Sequence, residues 1–438
     1  MARILISYYK IQEVPLNKIN CMWDGLFQEL KNNGNDVFVI NTAYFNKYTC
    51  NKVKNKTLDS YILSKAKDFD PELIIAFNHK IPQCVLDNFQ DVPIVIWDGD
   101  ELSYFSGLDH IKENISRYKI FSIVKEWEQN YLEFGFDKTQ IHMMPVATSI
   151  KAMDIPQTIN ISFLGAFHHA SGKINPILRS NTYEEVLPKI IEEYLNGNNY
   201  NYEGMFRKYL KEDFDKLNLK EVDLYPLFNL RLITLTNLLD LGLQINGDRF
   251  NLITSVLPQL CAVYNSKNIW TYAENERYFN SSKISINPIH PQAKGSGFSW
   301  RVFDIMASNA CLVCENSSDL RELTKNYVDI PMYKTPWEAR EICKELLADD
   351  KARKEIVLAS QKYINENARW KHRFKDMENI LNIKLINLES QGSLHCLKDD
   401  ENFKLQLPTG NKKLGLKNKI RYKIWKHYNE VLQRKGII

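Results

Sequence analysis

Short apolar runs alternate with longer stretches of helical spacing from the start of the chain. Arg3–Tyr8 reads as a strand. Met22, Leu26, Phe27 and Leu30 recur at three- and four-residue spacing over 20–33, which predicts a helix closed by Asn33-Gly34. Asp36–Asn41 is the next strand, completing a β-α-β unit. The pattern repeats. Helices are expected over 58–67, 83–89 and 126–134, and strands over 72–77, 92–97, 118–124 and 141–145. Polar residues follow the strand ends, where open parallel sheets bind their ligands. After a polar, proline-containing stretch at 151–159, a second alternating series opens with Ile161–Gly165. It continues through a charged, mostly helical region over 182–241, a strand near 243–246, a strand at Lys283–Asn287, a helix near Ser299–Ser308, a strand over Ala310–Cys314, a strand at Val328–Met332 and two helices after Trp337.

This pattern predicts an α/β protein in four parts. They are a Rossmann-like domain over 1–150, a linker at 151–159, a second Rossmann-like domain over 160–395 with a helical insertion at about 182–241, and a tail over 396–438. The tail is basic, with Leu416, Ile420, Ile424 and Tyr428 on one helical face and Trp425 beside it. It reads either as an interfacial helix on an anionic membrane or as a helix docked on the protein body.

Composition narrows the function classes. At 438 residues, 44% hydrophobic and 25% charged, the chain is of globular type, and its net charge of +4 makes no general demand for nucleic acid. Eight cysteines show no metal-binding spacing, and Cys311 and Cys314 lie in an apolar run that reads as a buried strand. No signal peptide and no membrane-spanning run are read, so a cytoplasmic protein is expected, peripheral on the membrane if the tail binds it.

The candidate chemistry centres on residues 283–323. Gly295-Ser296-Gly297 can bring backbone N–H groups to an anion, and the following helix would point its N-terminus there. Arg301 offers a fork of donors for a phosphate, and Asp304 a carboxylate for a ribose diol. Lys294 and Ser299 flank the loop.

Four spaced motifs carry a resemblance. They are Arg231…Leu241-Gly-Leu-Gln-Ile-Asn-Gly247-Asp248, Tyr278…Lys283-Ile-Ser-Ile-Asn287, Gly297-Phe-Ser299-Trp-Arg301-Val-Phe303-Asp304-Ile-Met-Ala307, and Leu320-Arg-Glu-Leu323. Over roughly 230–380 this series resembles the C-terminal domain of the CgeB-like glycosyltransferases, with Trp370–Phe374 standing for the family's final arginine-containing segment. The family's glutamate is Asp304 here and its following glycine is Asn309. The second glutamate of related retaining enzymes falls at Ser296, so that mechanism does not carry over.

The resemblance implies a GT-B fold, two Rossmann-like domains with parallel sheets facing across a cleft. It also implies transfer of a sugar from a nucleotide-diphosphate donor to an acceptor hydroxyl, without a cofactor or metal. Arg301, Asp304, Lys294, Gly295, Ser296, Gly297 and Ser299 would then meet the donor. The loop Gly165–Lys173 would face the cleft with His168, His169 and Lys173, and Asp248 would border the base. A base to deprotonate the acceptor is expected in the first domain, from Asp98, Asp100 or His79. The basic tail points to a glycan or lipid-linked acceptor, as in bacterial surface-polysaccharide or glycoconjugate synthesis. Two alternatives stay open: a non-catalytic nucleotide-sugar or glycan-binding protein on the same fold, and a metal-dependent GT-A transferase using Asp98-Gly99-Asp100.

Overall fold

A computed structural model describes residues 1–8, 19, 21–41, 56–165, 185–186, 188–190, 192–193, 202–216, 231–247, 258–265, 269–289, 293 and 296–397. The expected α/β architecture of two parallel sheets is present.

The first sheet runs β12-β2-β1-β3-β4-β5-β6. It contains β1 (Arg3–Tyr8), β2 (Asp36–Asn41), β3 (Leu73–Phe77), β4 (Ile94–Trp97), β5 (Tyr118–Ser122), β6 (Ile141–Met143) and β12 (Leu394–Cys396). The second runs β11-β10-β9-β7-β8, from β7 (Ile159–Leu164), β8 (Leu243–Asn246), β9 (Ser282–Asn287), β10 (Cys311–Glu315) and β11 (Met332–Tyr333). Every pairing in both is parallel. Parallel strands are covered by helices on both faces, so they read as unbroken apolar runs. All residues of β3, β4 and β10 are buried accordingly. Cys311 and Cys314 are two of these, as free thiols in the strand interior.

Helix ends follow local rules. Thr271 caps the helix Tyr272–Asn280 with Glu274 in a capping box, and Thr335 does the same with Glu338 for Pro336–Ala348, whose first residue is proline. Ser317 caps Ser318–Thr324 by accepting from Leu320 N–H.

Strand order reverses direction between β1 and β3 in the first sheet and between β7 and β9 in the second. These switch points open crevices at the strands' carboxyl ends. The two sets of carboxyl ends meet there. Phe77 and Trp97, the last residues of β3 and β4, pack on Trp300 with ring centroids 5.5 Å and 6.5 Å apart. Trp300 precedes the helix Arg301–Ala307 of the second half and also meets Trp23 edge-on at 4.8 Å. One hydrophobic cluster therefore runs from Ile4 through Trp97 to Trp300 and Trp370.

The stretch at 151–159 is strapped to the second half. Lys151 N–H donates to Glu276 (2.9 Å) and Met153 N–H to Asn280 (3.0 Å). The chain later returns to the first half. The helix Trp370–Leu381 packs Trp370 against Trp97, Arg373 Nε donates to the Pro145 carbonyl (2.6 Å), and β12 pairs with β2. The segment expected to close the second domain at 395 thus ends inside the first sheet. The strand expected over 328–332 is only Met332–Tyr333.

Candidate functional site

At the switch point of the second sheet, Asn287 ends β9 and turns its side chain toward the next helix. Its Oδ1 accepts from Ser299 Oγ (3.0 Å) and from Arg301 Nη1 (3.4 Å). Arg231 arrives from a helical turn far upstream and donates to the carbonyl of Ile289 (3.1 Å). Both arginines are half-buried. Burial pushes the Arg301 guanidinium down to about 10, and the nearby positive charge of Arg231 pushes the same way, against Asp304. Burial lowers Arg231 too, opposed by Glu315. Two guanidiniums are thus gathered at one strand end, with the carboxylates of Asp304 and Glu315 nearby. Arg231 opened the motif series in the sequence, yet nothing in its spacing tied it to Arg301; only the folded helix brings them together.

The glycine loop behaves differently from the expected N–H cradle. Ser296 and Gly297 N–H both donate to the Ala293 carbonyl, at 3.0 Å and 3.1 Å. Ser296 is buried, and its carbonyl accepts from Ser317 Oγ (2.7 Å) and Asp319 N–H (3.0 Å). These donors are committed within the protein rather than offered to an anion. What the loop contributes is close approach. A Cβ on Gly297 would lie 2.5 Å from Val124 Cγ2 of the first half. Next to it, Lys125 N–H donates to Asp319 (3.1 Å), a bond between the halves. Gly165 follows β7, and a Cβ on Gly247, the residue after β8, would overlap the Gly165 carbonyl oxygen. The helix after the loop begins at Arg301 and spans seven residues.

Asp304, expected on the donor ribose, faces the junction of the halves. Thr148 Oγ1 donates to its Oδ1 (2.6 Å), and Cys21 Sγ lies 3.9 Å from its Oδ2. Burial raises its pKa to about 7 despite Thr148 and Arg301.

The three residues expected to supply a base separate clearly. Asp98 has 0% exposure. It accepts from Tyr131 OH (2.7 Å) and Ile123 N–H (2.9 Å), which ties the end of β4 to β5. His79 also has 0% exposure, with Nδ1 bonded to the Ser106 carbonyl and Nε2 to Tyr118 OH. Burial depresses its pKa to about 3, so it is neutral. Both are enclosed and bonded to partners of the first half. Asp100 is half-buried, accepts from Asn78 Nδ2 (2.6 Å), and has its pKa raised by burial against that bond. Asp98 and Asp100 thus serve different partners and do not converge on a cation as the GT-A alternative requires. Lys294, Gly295, His168, His169, Lys173, Asp248 and the tail after Leu397 lie outside the described residues.

Asp98 gives a pH prediction. Burial raises its pKa to about 7 from an ordinary value near 3.8. Between those values the folded state holds a proton that the unfolded state has released. Its contribution to stability is therefore present below about pH 4 and lost as pH rises through 7. Tm should fall from pH 5 to 8, and Asp98→Asn should flatten that fall. An equal slope in the variant would remove Asp98 as the cause.

A search of curated protein sequences found no match to this chain. Solved structures with a similar chain path include a glycosyltransferase from Rickettsia africae (10% identity, 87% of this chain and 99% of that one, TM-score 0.47). Another is an Anabaena protein, HepE, in complex with UDP-glucose (10%, 86% and 99%, 0.45), and a third is sucrose-phosphate synthase from Thermosynechococcus elongatus (10%, 87% and 98%, 0.48). Residues 234–379, about a third of the chain, which carry Asn287, Ser299, Arg301 and Asp304, match the family model described as Glycosyl transferase-like.

Proposed function

We propose that this protein is a glycosyltransferase that moves a sugar from a nucleotide-diphosphate donor to an acceptor hydroxyl, the donor diphosphate resting on Arg301 and Arg231. The observation that carries the reading is the pairing of these half-buried guanidiniums beside Asn287, at the switch point of the second sheet, with Asn287 and Arg301 inside the glycosyltransferase-like match over 234–379. A diphosphate would neutralise both charges and match their forked donors. As the sugar leaves, negative charge grows on that diphosphate, so the same donors stabilise the departing group.

The acceptor is assigned to the first half. Asp100 is the remaining candidate base there, since Asp98 and His79 are enclosed. Its half-buried carboxylate, with a pKa raised toward neutrality, suits it to take the acceptor proton. The site is close to the donor residues in the fold. Asn78, which holds Asp100, adjoins Phe77, and Phe77 packs on Trp300 beside Arg301. The CgeB-like subfamily, a role in surface polysaccharide or glycoconjugate assembly, and membrane contact through the basic tail belong to the same proposal. Among the described residues no helix is long and apolar enough to cross a membrane.

The test is nucleotide release. Purified protein given a panel of nucleotide sugars should liberate nucleoside diphosphate from one of them, faster with an acceptor extract, and Asp100→Asn should slow the acceptor-stimulated rate by about 100-fold or more. Binding without release from any donor would leave a glycan- or nucleotide-binding protein instead. Truncation after residue 400 should weaken binding to anionic liposomes; unchanged binding would end the membrane assignment.

A further inference from the structure

Asp304 borders a small cavity of about 10 Å³, lined also by Gly25, Ser149, Tyr272, Trp300 and Trp370. It lies where the first half's helix Cys21–Asn32, the crossing segment at 146–149 and three helices of the later chain converge.

Its walls carry an excess of hydrogen-bonding groups. Trp300 and Trp370 are 9% and 3% exposed, and the Nε1 of each meets no acceptor among the described residues. Tyr272 OH and Ser149 Oγ are buried without a partner as well. An indole N–H only donates, so two donors here need an acceptor. Four orphaned groups around one cavity form a cluster, and each such buried group calls for a partner. The empty point is fixed by Gly25. A Cβ there would lie 3.3 Å from Trp370 Nε1 and 3.5 Å from Ser149 Oγ. The volume matches one water and nothing larger, and the lining offers more than the two to four partners a buried water needs.

We propose that this cavity is a binding site for one internal water molecule, held by Trp370, Ser149 and Asp304, that joins the two halves of the protein. The water accepts from the indole N–H groups and donates to the Asp304 carboxylate, whose other contacts are Thr148 and Cys21. It thereby satisfies the orphaned donors and holds Asp304 against the crossing segment. The inference does not depend on the glycosyltransferase reading.

The test uses ¹⁵N-tryptophan-labelled full-length protein. The Trp370 indole proton should show a direct cross-relaxation peak to a slowly exchanging water, and Gly25→Ala should abolish it. The same variant should lower Tm by a few degrees. Alanine is the better helix former, so a dry cavity filled by its methyl group would raise Tm instead. A missing water peak in the wild-type protein, or a higher Tm in Gly25→Ala, overturns the proposal. If Gly25→Ala does not fold, the presence or absence of the wild-type peak decides the matter.

Discussion

Replacing Arg301 by alanine is expected to weaken nucleoside-diphosphate binding by roughly 10- to 100-fold, because a hydrogen bond to a charged group contributes about 1.5–3 kcal/mol. Arg231→Ala should lose a similar amount, and the double variant less than the sum, since both arginines would serve one diphosphate. Arg301→Lys keeps the charge but not the planar fork, and should recover only part of the affinity. Stability separates this role from a structural one. Burial and Arg231 both disfavour the charged form of Arg301 in the folded protein, and its side chain makes a long contact to Asn287 (3.4 Å). The unliganded Arg301→Ala protein should therefore be about as stable as the wild type. Isothermal titration calorimetry and thermal unfolding of the same samples read both quantities. Intact affinity in Arg301→Ala would remove the donor assignment, while a large loss of unliganded stability would make the residue structural.

Trp300→Ala should destabilise the protein by about 3–5 kcal/mol, the range for deleting a large buried aromatic. Trp300 is 9% exposed and closes on Trp23, Phe77 and Trp97, three aromatic side chains of the first half. Removing it opens a cavity that backbone from two sheets cannot collapse to fill. Because Arg301 is the next residue, the cavity should also loosen the donor site. Trp300→Phe, which keeps a ring at the junction, should lose distinctly less. Urea unfolding monitored by fluorescence and by circular dichroism checks the size of the loss. A change below about 1 kcal/mol would mean that the halves are held elsewhere.

Much of the architecture was legible in the chain. Runs such as Val37–Ile40 and Ile94–Trp97 announce doubly covered parallel strands, because two apolar faces leave no polar alternation. Capping residues such as Thr271 with Glu274 mark helix starts through purely local bonds. Arg301 at the head of the helix after β9 was readable for the same reason: its neighbours in sequence are its neighbours in space. The short β11 and the return of the chain to β12 were less legible. A three-residue strand has too little pattern to declare its partner, and β12 is defined by pairing with β2, more than 350 residues away.

The sequence by itself determined the strand and helix order, the two-sheet α/β class and the position of Arg301 at the head of its helix, since these follow from periodicity and local chemistry. Only the tertiary structure decided what the polar residues at the strand ends do. Asp98 and His79 look like candidate bases in the chain, and so does Asp100. Whether a carboxylate faces a cleft or satisfies a buried Tyr131 hydroxyl and Ile123 N–H depends on what packs above it. The N–H groups of Ser296 and Gly297 were likewise taken by Ala293, Asp304 was turned to Thr148, and Arg231 was carried to Arg301. Each outcome is a competition between partners distant in sequence, and burial decides it because an unsatisfied polar group inside the protein is too costly to leave.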